Sequence, residues 1–274
     1  MALTSIAQVR RISGVSISLV PDADVTDTIT EAEDEVERML NSVFTPRERI
    51  DVLDGDDTIR IIVDKNPLLS LREVTIKGTA ITIDGNIFIS KESGRLELNR
   101  DGSPEEARFS LKPKSNIIRY VYGWVEETTT LTDMTSASIV GKPIVLSVTS
   151  ETNFTVDDWV EVYGIDGNRE AAKVTATATG TITVDELNFV HNSGSTVVLL
   201  KPKEVILKLM RLVSGIALVA RVVGESFDDI TGYTMGEFQV QKGEPFTQWR
   251  ETALQLQKEA REILARVRPR PAIF

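Results

Sequence analysis

Cysteine is absent from this 274-residue chain. Disulfides and thiolate-bound metals are therefore excluded. Histidine occurs once, at His191, in the turn-like stretch NFVHNSGS. A nucleophile thus has one imidazole at most to take its proton, and that imidazole reads as a polar loop tip. Positive charge is in deficit, with 31 Lys and Arg against 41 Asp and Glu and a net charge of −10. That balance argues against tight nucleic-acid binding by the free chain, because neutralising phosphates needs a basic face. Neither GxGxxG nor GxxxxGK[ST] occurs, so no glycine-rich phosphate loop is expected. Long hydrophobic runs are missing too. The most apolar stretch, VILKLMRLVSGIALVARVV at 205–223, is interrupted by Lys208, Arg211 and Arg221. A membrane span needs about 20 apolar residues, so this stretch reads as a buried helix. The opening MALTSIAQVRRISG lacks the apolar region of a signal peptide.

What is present begins with a cluster of aspartates, DVLDGDDTIRIIV at 51–63. A calcium loop of the EF-hand type needs oxygen ligands at positions 1, 3 and 5, glycine at 6 and glutamate at 12. Counted from Asp51, those later positions hold Leu53, Gly55 and Ile62. Counted from Asp54, positions 6 and 12 hold Ile59 and Lys65. Neither frame fits, and no metal is expected. Asp-Gly between alternating strands is instead a hairpin signal. It recurs at Asp84-Gly85 and Asp166-Gly167.

A short helix is expected over 4–12, opened by Thr4. A second follows Pro21, with Asp24 as N-cap and an apolar face of Val25, Ile29, Ala32, Val36, Met39 or Leu40, and Val43. Its other face is acidic, with the negative charge gathered toward the helix N-terminus, where the dipole favours it. From Ile50 to Trp124 the period is two, predicting strands at 49–53, 58–63, 70–77, 80–83, 86–90, 95–99 and 116–122. A Thr/Ser-rich link, 126–138, opens a run of short β segments up to Leu200. This block reads as an inserted barrel or sandwich. It is expected to be autonomous, so that a short linker in place of 128–199 leaves the rest folded. Helical period returns at 203–223. A loop, GESFDDITGYTM, and a short strand, EFQVQ, follow. The terminal helix, 245–268, carries a seam of Trp249, Ala253, Leu256, Ala260, Ile263 and Val267. The fold class read from these patterns is α+β: a helical core with strands, formed by 1–125 and 201–268, an inserted all-β barrel or sandwich domain at 126–200, and an extended tail at 269–274.

Carboxylates such as Asp228 and Asp229 are the ordinary composition of a loop, so neither an enzyme nor a cofactor is expected. The order of elements, though, has a counterpart. The helix DADVTDTITEAEDEVERMLNSVF, the segment NPLLSLREVTIKG, the strand ending YVYGW, the helix PKEVILKLMRLVSGIALVA and the GEFQVQKG loop together resemble the head–tail connector (adaptor) proteins of tailed viruses. The matching segments are roughly 4–124 and 201–268. The Asn66-Pro67 turn with Val74-Thr75-Ile76, and Tyr120–Gly123, carry most of the likeness. The β block at 126–200 departs from the family pattern.

The resemblance implies a non-enzymatic ring, commonly of twelve copies, in the virion neck, assembled in the host cytoplasm. Its partners would be the portal protein, a neck or tail completion protein and further copies of itself. DNA would pass through the channel without specific binding, which suits an acidic subunit. Glu31, Asp34 and Glu35 on the acidic helix are candidates for a ring surface. The C-terminus is locally basic. Arg266, Arg268 and Arg270, with apolar Ile273 and Phe274 beyond two helix-breaking prolines, form a candidate docking tail for the portal. The alternative is another virion or tail structural protein, a decoration or baseplate component whose β domain meets a host or capsid surface.

Overall fold

Thirteen strands and four helices are present among the described residues of the computed structural model, which are 4–83, 87–98, 108–164, 167–231 and 244–267. The helices are α1 (Ile6–Ser13), α2 (Asp22–Leu40), α3 (Glu204–Thr231) and α4 (Glu244–Val267). The strands are β1 (Arg47–Leu53), β2 (Arg60–Ile62), β3 (Leu68–Ile76), β4 (Thr79–Ile81), β5 (Phe88–Ser90), β6 (Arg95–Glu97) and β7 (Asn116–Tyr122), followed by β8 (Val125–Asp133), β9 (Ile144–Ser147), β10 (Trp159–Tyr163), β11 (Arg169–Ala178), β12 (Thr181–Val184) and β13 (Thr196–Pro202). They form three antiparallel sheets, ordered β1-β7-β3-β4, β2-β6-β5 and β8-β13-β10-β11-β12-β9. The helical connector core inferred from the sequence is therefore overturned. Three antiparallel sheets build residues 41–203, and the stretch 41–124 contributes two of them rather than strands decorating a helical core. Alternating side chains explain this, since a period of two buries one face of a sheet and cannot build a helix.

Two compact units result. One contains the described residues of Met1–Leu40 and Glu204–Arg270, the other those of Asn41–Lys203. In the helical unit, Ser5 and Gln8 form a reciprocal capping box on α1, and Gly14 ends it at φ +72°. The predicted stripe of α2 is buried at Val25, Ile29, Ala32, Val36 and Leu40. It shares a core with Val9 of α1 and with Leu218, Val219 and Val222 of α3. A Cβ on Gly215 of α3 would sit 3.2–3.3 Å from Ile12 and Leu256, so the missing side chain lets α1 and α4 approach closely. On α4 the seam is buried at Leu256, Ala260, Ile263 and Val267. The side chain of Trp249 lies outside the described residues. Helix α3 runs on to Thr231, through the first part of the stretch read as a loop. The EFQVQ strand falls outside the described residues.

In the sheet unit, β7 is the pivot. Its Ile118, Tyr120 and Tyr122 face one way, into a core shared with Leu68, Val74, Leu96 and Phe109. Val121 faces the other way, against Val125, Trp159, Ala171 and Leu200, with Leu69 packed beside them. The four-stranded sheet is thus covered on one face by the three-stranded sheet and partly covered on the other by the six-stranded one. The six-stranded sheet has its own core, including Ile144, Leu146, Val160, Val174, Ile182 and Val197. Its outer strands meet at a Met134–Val148 bridge, with Thr135 N–H donating to Ser147 O (2.9 Å) and Thr149 N–H to Asp133 O (2.9 Å). It is a barrel.

Two local expectations fail for identifiable reasons. The threonine-rich link is largely strand β8, paired with β13 from Val125↔Pro202 to Asp133↔Thr196. Threonine is β-branched and favours a pleated, half-exposed strand. The Asp54-Gly55 hairpin does not exist, because β1 pairs with β7 and β2 pairs with β6. A Cβ on Gly55 would lie 2.6 Å from Ser110 O and 2.7 Å from Phe109 C, so this glycine serves a close backbone crossing instead. Asp84-Gly85 lies outside the described residues. Gly167 of the third site has φ +80° and lies between paired strands, β10 and β11, while Asp166 lies outside the described residues.

Candidate interaction surfaces

The proposed ring residues lie on the solvent side of α2. Glu31 and Asp34 are exposed, and Glu35 is half-exposed and paired with Arg38 (Nε to Oε2, 3.0 Å). Earlier acids on the same helix serve the unit itself. Asp22 takes a salt bridge from Arg10 (2.6 Å) and Asp24 one from Arg221 (3.3 Å). At the far end of α4, Arg266 is exposed. Arg268, Arg270, Ile273 and Phe274 lie outside the described residues. Among the described residues, no group of three or more His, Asp or Glu side chains is placed to hold a metal ion.

Within the aspartate cluster, Asp51 is internal bracing, while Asp54, Asp56 and Asp57 are exposed. Asp51 is buried in β1 and accepts from Arg49 Nε (2.6 Å), Asp64 N (2.8 Å) and the Tyr120 hydroxyl (2.8 Å). Burial pushes its pKa up, but these donors outweigh burial and hold the carboxyl below its ordinary range. The tyrosine is raised, first by burial and then by the hydrogen bond to Asp51.

A second polar seam joins the barrel to the four-stranded sheet. Arg72 sits at a bulge in β3 with its side chain fully buried. Its Nη1 donates to Glu186 O (2.6 Å), and its Nη2 approaches both oxygens of Asp185 (3.3 and 3.4 Å). Beside it, Arg119 of β7 grips Glu186 with both Nη atoms (2.8 and 2.7 Å) and reaches Glu48 (3.0 Å). Lys142 closes on Glu186 as well (3.2 Å). Hydrogen bonding to Glu186 raises the Arg119 pKa. Glu186 is held low in spite of its burial, chiefly by Arg119 and Lys142. Asn188 Nδ2 adds bonds to Leu71 O (2.9 Å) and Arg72 O (3.1 Å). The inserted block is therefore bolted to its neighbour through buried charge and apolar contact, and it is not merely appended.

His191 overturns its reading as a polar loop tip. It is fully buried, with Nε2 3.2 Å from Glu170 Oε2. Glu170, also buried, accepts from Asn188 N (2.7 Å) and Phe189 N (2.8 Å). Ser138 and His191 exchange two further bonds, Ser138 N to His191 O (2.8 Å) and His191 N to Ser138 Oγ (2.9 Å). These anchors hold a tip from which Ile139, Val140 and Val190 project at 71%, 52% and 49% exposure.

One cleft of about 330 Å3 opens where the chain passes from β7 into β8. Leu69, Val125, Ala171 and Leu200 form its apolar side, and Glu92, Glu126, Glu127 and Glu161 lie on its margin with Lys91 and Lys203. Sequence reasoning missed the cleft, the seam and the buried histidine alike. Their members are far apart in the chain, and no local pattern marks them. No model of a known protein family matches the chain, and no curated protein matches it.

Proposed function

We propose that this chain is a non-enzymatic structural subunit of a tailed-virus neck: a ring-forming adaptor between the portal and the tail or neck completion protein, surrounding the path of the DNA. The observation that carries the reading is how charge is deployed. Buried Arg72 and Glu186, with half-buried Arg119, brace the barrel against the four-stranded sheet, while buried Asp51 and Glu170 anchor neighbouring segments within the sheet unit. Exposed acids, at Asp27, Glu31 and Asp34, line one face of α2. That is the disposition of a scaffold, and an acidic outer face suits DNA that must slide past without adhering. The element order quoted above supports the same reading. Arg266 and the basic, apolar-ended segment after it are the portal contact in this proposal.

The test is assembly on purified portal rings or tail-less heads, followed by sedimentation and image averaging. A ring of this chain on the portal is expected. Removal of residues 268–274, which spares the buried Val267, should abolish that association while the melting temperature stays nearly unchanged. No association of the full chain, or full association of the truncated one, would overturn the proposal.

A second reading, a decoration or baseplate component, is favoured by the barrel tip. Residues 135–141 and 187–195 contain no Asp, Glu, Lys or Arg in a chain that is 26% charged. Exposed aliphatics on a hydrogen-bonded tip suit a protein contact. Ile139→Asp with Val140→Asp should leave portal assembly intact under the first reading and cripple virion incorporation under the second.

A further inference from the structure

We propose that the outer face of α4 docks on the outer face of α2 in a second copy of this chain. Helix α4 turns Leu256, Ala260, Ile263 and Val267 to the core. Away from them runs an exposed row, Leu254, Lys258, Arg261 and Ala265, spaced by four, three and four residues. Its first member is an apolar side chain left 56% exposed. On α2 the row away from the buried stripe is Asp27, Glu31, Asp34 and Arg38, exposed and with the same spacing. Residues so spaced form one strip along a helix surface. Glu251 and Glu262 flank the first row, and Glu35, paired with Arg38, flanks the second.

Charge complementarity points to the occupant. Asp22, Asp24 and Glu259, on the same two helices, are paired within the unit. Among the described residues, the side chains of Glu31, Asp34, Lys258 and Arg261 have no such partner. Two acids are thus left over on one helix and two bases on the other. Laid antiparallel, the rows bring Lys258 to Asp34 and Arg261 to Glu31. Leu254 then lies along the aliphatic stem of Arg38. Ala265 meets Asp27 and is too small to cover it, so the acids toward the start of α2 stay free to face the DNA path. Both helices pack on α3, and the two faces sit on different helices. Each copy therefore offers one face of each kind, and the contact repeats from copy to copy, as a ring requires. The inference rests on the ring reading above and names the faces through which copies meet.

A lone helix-on-helix contact buries less than the about 1,200 Å2 of stable interfaces, so covalent capture is the readout. The full chain, unlabelled and heavy-isotope-labelled, is mixed in equal amounts and treated with a water-soluble carbodiimide, which joins a lysine to a touching carboxylate. Mass spectrometry of the digest should find mixed-isotope peptides linking Lys258 to Asp34 or Glu31. The internal Lys91–Glu161 pair, 2.9 Å apart, is the control for coupling. Arg261→Glu leaves Lys258 and both acids in place and should cut the yield at least about tenfold. Glu31→Lys with Asp34→Lys should remove the link. Adding Lys258→Glu and Arg261→Glu to that chain should restore one between the same two helices. The proposal is overturned if Lys91 couples while Lys258 gives no link between copies, or if the Arg261→Glu protein, native by circular dichroism, links as before. Failure of the fourfold variant to restore a link overturns it too. Portals take no part in this experiment, so its failure leaves the neck reading standing. Links between copies without association on portals would count against that reading alone.

Discussion

Arg72 offers a quantitative check on how the barrel is fastened. Its side chain is fully buried, yet only its two Nη atoms have partners, and Nε has no hydrogen-bonding partner. Its counter-ion Asp185 is 27% exposed and independently satisfied, since its Oδ1 also accepts from Lys173 N and Glu186 N at 2.8 Å each. The two partners should therefore respond unequally to loss. Arg72→Met removes a buried charge and keeps most of the volume. It forfeits one good bond, to Glu186 O, at about 1–2 kcal/mol. Asp185→Ala strands the guanidinium in the interior and frees two backbone donors, at about 3–5 kcal/mol. The double variant should cost less than the sum of the two, because the stranded charge is gone. Urea unfolding followed by tryptophan fluorescence, with linear extrapolation to water, measures all three. If Arg72→Met proves as costly as Asp185→Ala, or the two losses simply add, then the ion pair is not what sets the cost and the reasoning fails.

Further outcomes are expected from the same structure. Asp51 and Glu186 are both held below the ordinary carboxylate range. The stability they confer is therefore complete above the unfolded value, near pH 4, and is lost as pH falls through their lower folded values. Asp51→Asn and Glu186→Gln should each flatten the acid limb of a stability–pH curve. Gly55→Ala drives a methyl into the backbone at 109–110 and should cost about 1–3 kcal/mol or more. Gly215→Ala meets only side-chain ends, and its helix-propensity gain of about 1 kcal/mol should nearly offset the crowding. Replacing 128–199 by a linker uncovers Val121 and Leu69, and the product should aggregate unless both are made polar. Low-millimolar calcium or magnesium should leave the melting temperature where it is.

Local pattern carried a good part of this fold. Strand β7 was read residue for residue at 116–122, and the stripe on α2 was read from its spacing alone, because both are set by which side chains must be buried along one element. What pattern cannot convey is which element lies opposite. Gly55 looked like a turn residue since its neighbours are aspartates, whereas its role depends on a backbone crossing 54 residues away. His191 looked like a loop tip because its neighbours are polar. Its burial follows from Glu170 and Ser138, which no periodicity associates with it. The error in fold class has the same origin. The helices announced themselves in long periodic runs, while the short strands between them conceal how much of the chain the sheets consume.

The pairing of β8 with β13 has a consequence for how the chain finds this structure. Val125 opposes Pro202 and Glu126 opposes Lys201, so the barrel's entry and exit strands are zipped together at their outer ends. The helical unit is assembled from the two extremities of the chain, with residues 41–203 lying between them. Once the zip forms, the barrel no longer counts toward that separation, and the loop to be closed is roughly halved, which is worth about 0.6 kcal/mol of closure entropy. The β1–β7 ladder, running from Arg47↔Tyr122, takes out most of what remains. With both ladders in place Leu40 and Glu204 become near neighbours along the effective chain. The contacts of greatest sequence separation, which ordinarily slow folding most, are thereby made the cheapest to complete.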